Sequence, residues 1–364
     1  MELSRSGVEC VLVERKSLPR TKACGSGLSP WTLALLDRMG VGSQIRAEAF
    51  RIDGAVIAGS SGEGIELRGD HETAILRRSE LDYLLVQEAV RWGTKLVDGT
   101  TVKAIEIHRL SSGNNQVAVK TSEATFEADL VIDCSGATGK LDRRTTYTGV
   151  PSPLPSVAPR APYASARRLI EQCSRRVRDE RMTLHTIMGW YEGVEGCSDV
   201  VELFFDEEIR PHYAWIFPET DKRVNIGLCF LPTPGGANAR QHFESFIDHR
   251  LRQRLRNADL LGKWIGHPVQ VSPAAQELVS DGILRAGEAG WLADASTAEG
   301  IFHGLVSGRH AGRFSAEHLA NGGGTMQSQM RPYQSRVQKE LLGRLALGRG
   351  LMSLLRTPTL DLPL

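Results

Sequence analysis

The apolar run Val8, Cys10, Val11, Leu12 and Val13, preceded by Gly7 and closing on Glu14, narrows the fold more than any other segment. A continuous apolar run of this length is the pattern of a parallel strand covered on both faces, which occurs in α/β domains. An acid at the end of such a strand suits a dinucleotide fold, because its carboxylate can accept hydrogen bonds from both hydroxyls of an adenosine ribose. In that fold a glycine fingerprint lies about 20 residues before the acid. Only thirteen residues precede Glu14, so Met1–Gly7 reads as the tail of a first helix whose strand and glycine loop are absent. The strand ending at Glu14 is then expected to lack a parallel neighbour.

Further along, Pro30–Met39 has apolar residues at helical spacing, and a polar stretch from Arg51 to Leu76, with the turn Gly59–Gly64, reads as short strands. Ser79 opens a second helix, with Asp82 as its capping-box partner and Gly93 as its stop. Leu96–Ile107 and Gln116–Thr121 alternate as a hairpin about Ser111–Asn115, and Asp129–Asp133 is a second buried strand. Recurrent prolines from Pro151 to Pro162 mark a boundary. Beyond it Met182–Gly189, Val200–Phe205, Tyr213–Phe217 and Val224–Phe230 read as a largely antiparallel sheet, followed by helices over Gln241–Leu255, from about Gly300 to Leu319, and over Tyr333–Leu355. The fold class is α/β (α+β), a Rossmann-like domain with a second, antiparallel sheet domain. The nucleotide-binding parts are 1–50, 77–150 and 276–325, the second domain is 51–76 and 151–275, and 326–364 is a helical end.

Charge excludes several partners. With 44 Lys+Arg against 43 Asp+Glu the chain has no strong field for nucleic acid, and the arginine-dense runs Arg167–Arg181 and Arg250–Arg256 lack interleaved aromatics, so they read as solvated helix faces. The six cysteines show no CxxC pair, which argues against zinc or a disulfide framework and for a reducing cytoplasm. No apolar stretch is long enough to span a bilayer, leaving at most peripheral membrane contact.

Four motifs then point the same way. The segment Arg20-Thr21-Lys22-Ala23-Cys24-Gly25-Ser26-Gly27-Leu28-Ser29 resembles the stretch that follows the ribose acid in geranylgeranyl reductases and related flavoproteins. Arg78-Ser79-Glu80-Leu81-Asp82 resembles their Arg-x-x-Leu-Asp signature. Tyr213-Ala214-Trp215-Ile216-Phe217-Pro218, followed by Asn225-Ile226-Gly227, matches their Tyr-x-Trp-x-Phe-Pro pattern. Arg285-Ala286-Gly287-Glu288-Ala289 and Glu299-Gly300-Ile301 resemble the turn and helix start that meet the flavin's ribityl chain and pyrimidine edge, with Glu288 where the family has Asp and Ala295 where it usually has Pro.

The resemblance implies FAD as cofactor, held by Glu14, Arg15, Lys22, Cys24, Gly25, Arg78, Gly136, Gly287, Glu288, Gly300 and Ile301. It implies hydride transfer from reduced flavin to a carbon–carbon double bond of a lipophilic, prenyl-like substrate, with NAD(P)H or a reduced electron-transfer protein as donor. Cys24, Tyr213 and Trp215 are the candidate catalytic residues, and Tyr213, Trp215 and Phe217, on one face of a strand, form an apolar wall for the substrate. His303 is a further proton-donor candidate by placement. Two other readings stay open. The Cys134-Ser135-Gly136 turn, shared with flavin halogenases, keeps a monooxygenase or halogenase in view. The absent glycine loop keeps a flavin-free paralogue in view.

Overall fold

The computed structural model describes residues 1–60, 64–110, 114–138, 141–149, 182–271 and 276–356. The proline-rich boundary at Pro151–Pro162, the arginine run to Arg181 and Cys173 lie outside the described residues, as do parts of the turns Gly59–Gly64 and Ser111–Asn115.

Four short strands form two parallel pairs. Strand β1 (Val11–Val13) pairs in parallel with β5 (Lys95–Val97), and β9 (Val131–Asp133) pairs in parallel with β18 (Ile283–Arg285), which β17 (Val279–Ser280) flanks antiparallel. The expectation that the strand ending at Glu14 has no parallel neighbour is therefore corrected: β5 supplies one, and the Glu14 amide continues the ladder to the Val97 carbonyl at 3.0 Å. All three β1 residues are half-buried rather than sealed on both faces. Residues preceding the run form the short helix α1 (Glu2–Arg5).

Helix α2 (Pro30–Arg38) begins where Ser29 accepts the Thr32 amide and Pro30 pre-sets the first turn. With α3 (Gly42–Glu48) it buries Leu33, Leu35, Leu36 and Ile45 in the main core, shared with α6 (Ile301–Ala320) and α7 (Gln327–Leu355). Helix α4 starts one residue earlier than expected (Arg78–Arg91); its N-cap is Arg77, whose side chain has no oxygen to accept an amide, so Ser79 lies inside the helix and Asp82 accepts from arginines instead of closing a capping box. The expected hairpin is part of a four-stranded sheet: β6 (Val102–Arg109), β7 (Asn115–Thr121) and β8 (Thr125–Ala128) are antiparallel, and β10 (Thr145–Gly149) adds in parallel to β6.

The large sheet has the path β15-β11-β14-β13-β12-β3-β4-β2, with β16 also on β11. Its strands are β2 (Gly27–Leu28), β3 (Phe50–Gly59), β4 (Gly64–Ile75), β11 (Met182–Glu192), β12 (Val200–Phe205), β13 (Ala214–Pro218), β14 (Arg223–Phe230), β15 (Asp259–Leu260) and β16 (Ile265–Val271). Two strands of 10 and 12 residues replace the short ones expected over 51–76. Their polarity reflects exposure, since β4 is solvent-facing from Gly64 to Glu72. Strand β3 joins the rest of this sheet by pairing in parallel with β12. Strand β16 was not legible because Pro268 interrupts it, and it tolerates that proline at a sheet edge.

The sheet separates two apolar layers by simple alternation. One face carries Ala214, Ile216, Ile226 and Leu228 against Phe243 and Phe246 of α5 (Ala239–Phe246), whose N-terminus is closed by an Asn238–Gln241 capping box. This helix stops short of Leu255 and continues as a wider turn over Ile247–Leu251. The other face carries Trp215, Cys229 and Met188, packed with Ala295 and Met352.

Candidate active site

The second of these faces builds the site. Tyr213 and Trp215 have ring centroids 6.1 Å apart, and Trp215 and Phe217 5.9 Å, so the three expected aromatics form one continuous wall. Trp215 lies flat because its cross-strand partner is a glycine: a Cβ built on Gly227 would stand 2.4 Å from its Cζ2. Its indole N–H donates to Asn225 Oδ1 at 2.7 Å, which fixes the ring's rotation. Gly25 closes over the wall, since a Cβ there would meet the Phe217 ring at 2.9 Å and Trp215 Nε1 at 3.4 Å. Strand β2, pairing with the end of β4, is what brings the Gly25 loop to this sheet.

Next to Gly25 the charged residues converge. Arg20 bridges Glu14 (3.0 Å) and Asp82 (2.9 Å), and Arg78 grips Asp82 with two bonds of 2.7 and 2.9 Å. Burial opposes ionisation of Asp82, but Arg78 and Arg20 hold its carboxyl below the usual range. Arg78 also reaches the Cys24 sulfur, which accepts the Ser26 amide at 3.3 Å. Lys22 lies between Arg78 and Glu288; burial, with Arg78 adding like charge, lowers its pKa while Glu288 opposes the shift. A Cβ on Gly136, whose φ is +73°, would lie 3.9 Å from Glu288 Oε2 and 4.0 Å from Lys22 Nζ, so the Cys134–Gly136 turn comes up to the same pair. Glu288 is half-buried and accepts the Gln270 amide at 3.1 Å, and exposed Arg15 influences neighbouring His267.

The strand-to-helix turn forms the remaining side. Gly287 has φ +57°, a conformation that favours glycine, and its amide donates to Ser307 Oγ at 2.8 Å. Asp294 Oδ1 knots the following loop by accepting from the amides and hydroxyls of Ser296 and Thr297. Gly300 precedes α6 with open space where a Cβ would be, and half-buried Ile301 starts the helix. The Tyr213 hydroxyl donates to the Thr297 carbonyl at 2.7 Å, and burial raises its pKa, so its proton is already committed. His303 is 2 % exposed, with Nδ1 3.0 Å from the Glu299 carbonyl and Nε2 without a partner.

These features fit FAD. The half-buried Lys22 side chain beside positive-φ Gly136 suits a pyrophosphate, and the open N-terminus of the 20-residue α6 suits an electron-rich ring edge. Sequence reasoning missed Arg20 as the link between Glu14 and Asp82, and Asn225 as the group orienting Trp215. The second could have been found, since Asn225 falls two residues before the glycine that admits the indole.

Comparison with known proteins agrees. A model described as "FAD binding domain" matches residues 1–153, and one described as "Geranylgeranyl reductase catalytic domain" matches residues 182–266. Menaquinone reductase of Mycolicibacterium smegmatis is 26% identical, over 98% of this chain and 80% of its own length. Geranylgeranyl diphosphate reductase of Synechocystis sp. is 25% identical, over 84% of this chain and 69% of its own. Among solved structures, a geranylgeranyl bacteriochlorophyll reductase-like protein from Thermoplasma acidophilum superposes with a TM-score of 0.72 at 16% identity, covering 97% of this chain and 86% of that one. A flavin-dependent brominase has the same fold, with a TM-score of 0.66 at 15% identity, covering 96% and 89%. Fold and site together define an FAD-dependent oxidoreductase. Within that class, the chain is similar to geranylgeranyl reductases.

Proposed function

We propose that the protein reduces a carbon–carbon double bond of a lipophilic, prenyl-like substrate. The observation that carries this reading is the aromatic wall Tyr213–Trp215–Phe217, closed by Gly25 beside Cys24 and adjoining the charged cluster. Residues of 1–50, 77–150 and 276–325 would hold the cofactor, and those of 51–76 and 151–275 the substrate. Glu14 would meet the adenosine ribose, with Arg15 beside it. Lys22, Arg78 and Gly136 would meet the pyrophosphate, Gly287 and Glu288 the ribityl chain, and Gly300 and Ile301 the pyrimidine edge. FAD, when bound, supplies the hydride.

The wall orients an apolar chain and keeps water away from it. With the Tyr213 hydroxyl tied to Thr297 and His303 Nδ1 tied to Glu299, the Cys24 thiol is the remaining proton donor among the three candidates, held by Ser26 and Arg78. NAD(P)H or a reduced electron-transfer protein would recharge the cofactor. No helix among the described residues is long and apolar enough to cross a membrane, and the enzyme would work in the cytoplasm with peripheral access to lipid. The test is a flavin spectrum in the purified protein, followed by NADPH oxidation under nitrogen. Oxidation that depends on a polyprenyl substrate supports the reading, whereas product that appears only with oxygen favours monooxygenation or halogenation.

A further inference from the structure

The sheet face that carries Trp215 does not end at the aromatic wall. Register pairing places Leu203 of β12 beside Trp215, Ile57 of β3 beside Leu203, and Ile65 of β4 beside Ile57. Two residues along, the same ladders pair Val201 with Ala55 and Ala55 with Leu67. The β12–β13 register, carried on from Glu202–Ile216, sets Phe217 at the head of this second row. Residues paired across a sheet share a face, so two rows run from the wall to β4 on one side of the sheet. Both are apolar throughout, and Leu203 packs in the same layer as Trp215.

Burial along these rows changes in one direction. Toward β14 and β11 the face is sealed, since Cys229 and Met188 are 1 and 2 % exposed and pack with Ala295 and Met352. Toward β4 it opens. Leu203, Val201, Ile57 and Ala55 are half-buried, and Ile65 and Leu67 are 53 and 52 % exposed. The opposite face of the same strands is already occupied, with Phe204 and Ala58 packed in the layer of α5, and alternation puts the ion pair of Glu66 and Arg68 on that side too. The open lane is two rows wide, about 7 Å, and three strand spacings long, about 14 Å. A wall sealed at one end and open at the other admits its occupant from the open end. What covers the lane is therefore continuous with what the wall holds.

We propose that the lane of Leu203, Val201, Ile57, Ala55, Ile65 and Leu67 carries the tail of the substrate from the aromatic wall to the sheet edge, so that the enzyme selects a linear polyprenyl chain long enough to fill it. This rests on the lipophilic-substrate reading above and adds what that reading leaves open, the length of the chain and the residues that measure it. Ala55 is the low point of the second row, between Val201 and Leu67, and a larger side chain there would block the way to the edge.

The test uses the full-length, FAD-loaded protein and saturated prenyl alcohols of two, three and four isoprene units, which cannot be reduced, with binding read by tryptophan fluorescence. Each added unit should tighten binding at least about threefold, from partial burial of its carbons. Two variants remove the lane in different ways: Ile65→Ser/Leu67→Ser at exposed positions, whose melting temperature should match the wild type's, and Ala55→Phe as a plug. Each should weaken the four-unit alcohol at least about tenfold and the two-unit alcohol at most about twofold. Affinity that ignores chain length overturns the proposal, as does a folded Ile65→Ser/Leu67→Ser variant that weakens short and long alcohols alike or weakens neither. So does a wild-type dimer that this double substitution dissociates, since a second copy would then cover these rows. Length-graded binding that the variants abolish, without reduction of any unsaturated prenyl chain, would sink the functional reading and leave the lane standing.

Discussion

Gly227→Ala probes the wall at its tightest point. The added methyl would stand 2.4 Å from Trp215 Cζ2 and 2.8 Å from both Met188 Cβ and the Ile187 carbonyl, where carbon atoms ordinarily approach to about 3.5–4 Å. The carbonyl cannot yield, because Ile187 is held in register opposite Leu228. The ring must therefore retreat by about 1 Å, and the Gly25 loop on its other side restricts that retreat. Overpacking of this kind costs about 1–3 kcal/mol. If the indole N–H leaves Asn225, the unpaired buried groups add about 1–3 kcal/mol. The sum is a sizeable share of the roughly 5–15 kcal/mol that stabilises a folded protein. Denaturant unfolding of the flavin-loaded protein should show the loss, and turnover should fall further than flavin content. Because the variant could fail to fold, the same change is also made in a Trp215→Leu background, where it should cost at least about 1 kcal/mol less, as neighbours in contact are non-additive. Equal costs in the two backgrounds would refute the idea that the indole lies across Gly227.

Three further outcomes are expected. Lys22→Met should weaken FAD binding about tenfold or more, the value of one charged hydrogen bond, as read by flavin titration; unchanged affinity would remove Lys22 from the pyrophosphate. His212 is fully buried, and burial lowers its pKa to about 4. The unfolded chain thus binds its proton first, so stability is complete above about pH 6.5 and falls by about 3 kcal/mol as pH drops from there to about 4; His212→Gln should flatten this part of a melting-temperature profile. Gly348→Ala should drive the added methyl into Asp294, loosen the Ser296–Thr297 loop and lower both melting temperature and flavin retention, measured together by heating with flavin fluorescence.

Local pattern made part of this legible before any coordinates. Alternation placed Tyr213, Trp215 and Phe217 on one face, and the small residues around Gly25, Gly136 and Gly287 marked where backbone comes close to other groups. What stayed hidden depends on pairings far apart in the chain. Arg20 meets Asp82 across 62 residues, where local pattern reads Asp82 as a capping-box partner. Gly348 looks like a weak point in a helix until Asp294 is seen against it. The parallel partner of β1 lies in Lys95–Val97, a segment whose alternation reads equally well as one arm of a hairpin.

The most direct measurement is a single turnover without oxygen. The FAD-loaded protein is reduced with dithionite, excess reductant is removed, and a polyprenyl substrate is added while flavin absorbance is followed and the lipid is analysed by mass spectrometry. Return of the oxidised flavin spectrum, with a lipid heavier by two hydrogens formed in proportion to flavin, is the expected result. Flavin that stays reduced until air is admitted, with the prenyl chain unchanged, would contradict double-bond reduction as the protein's chemistry.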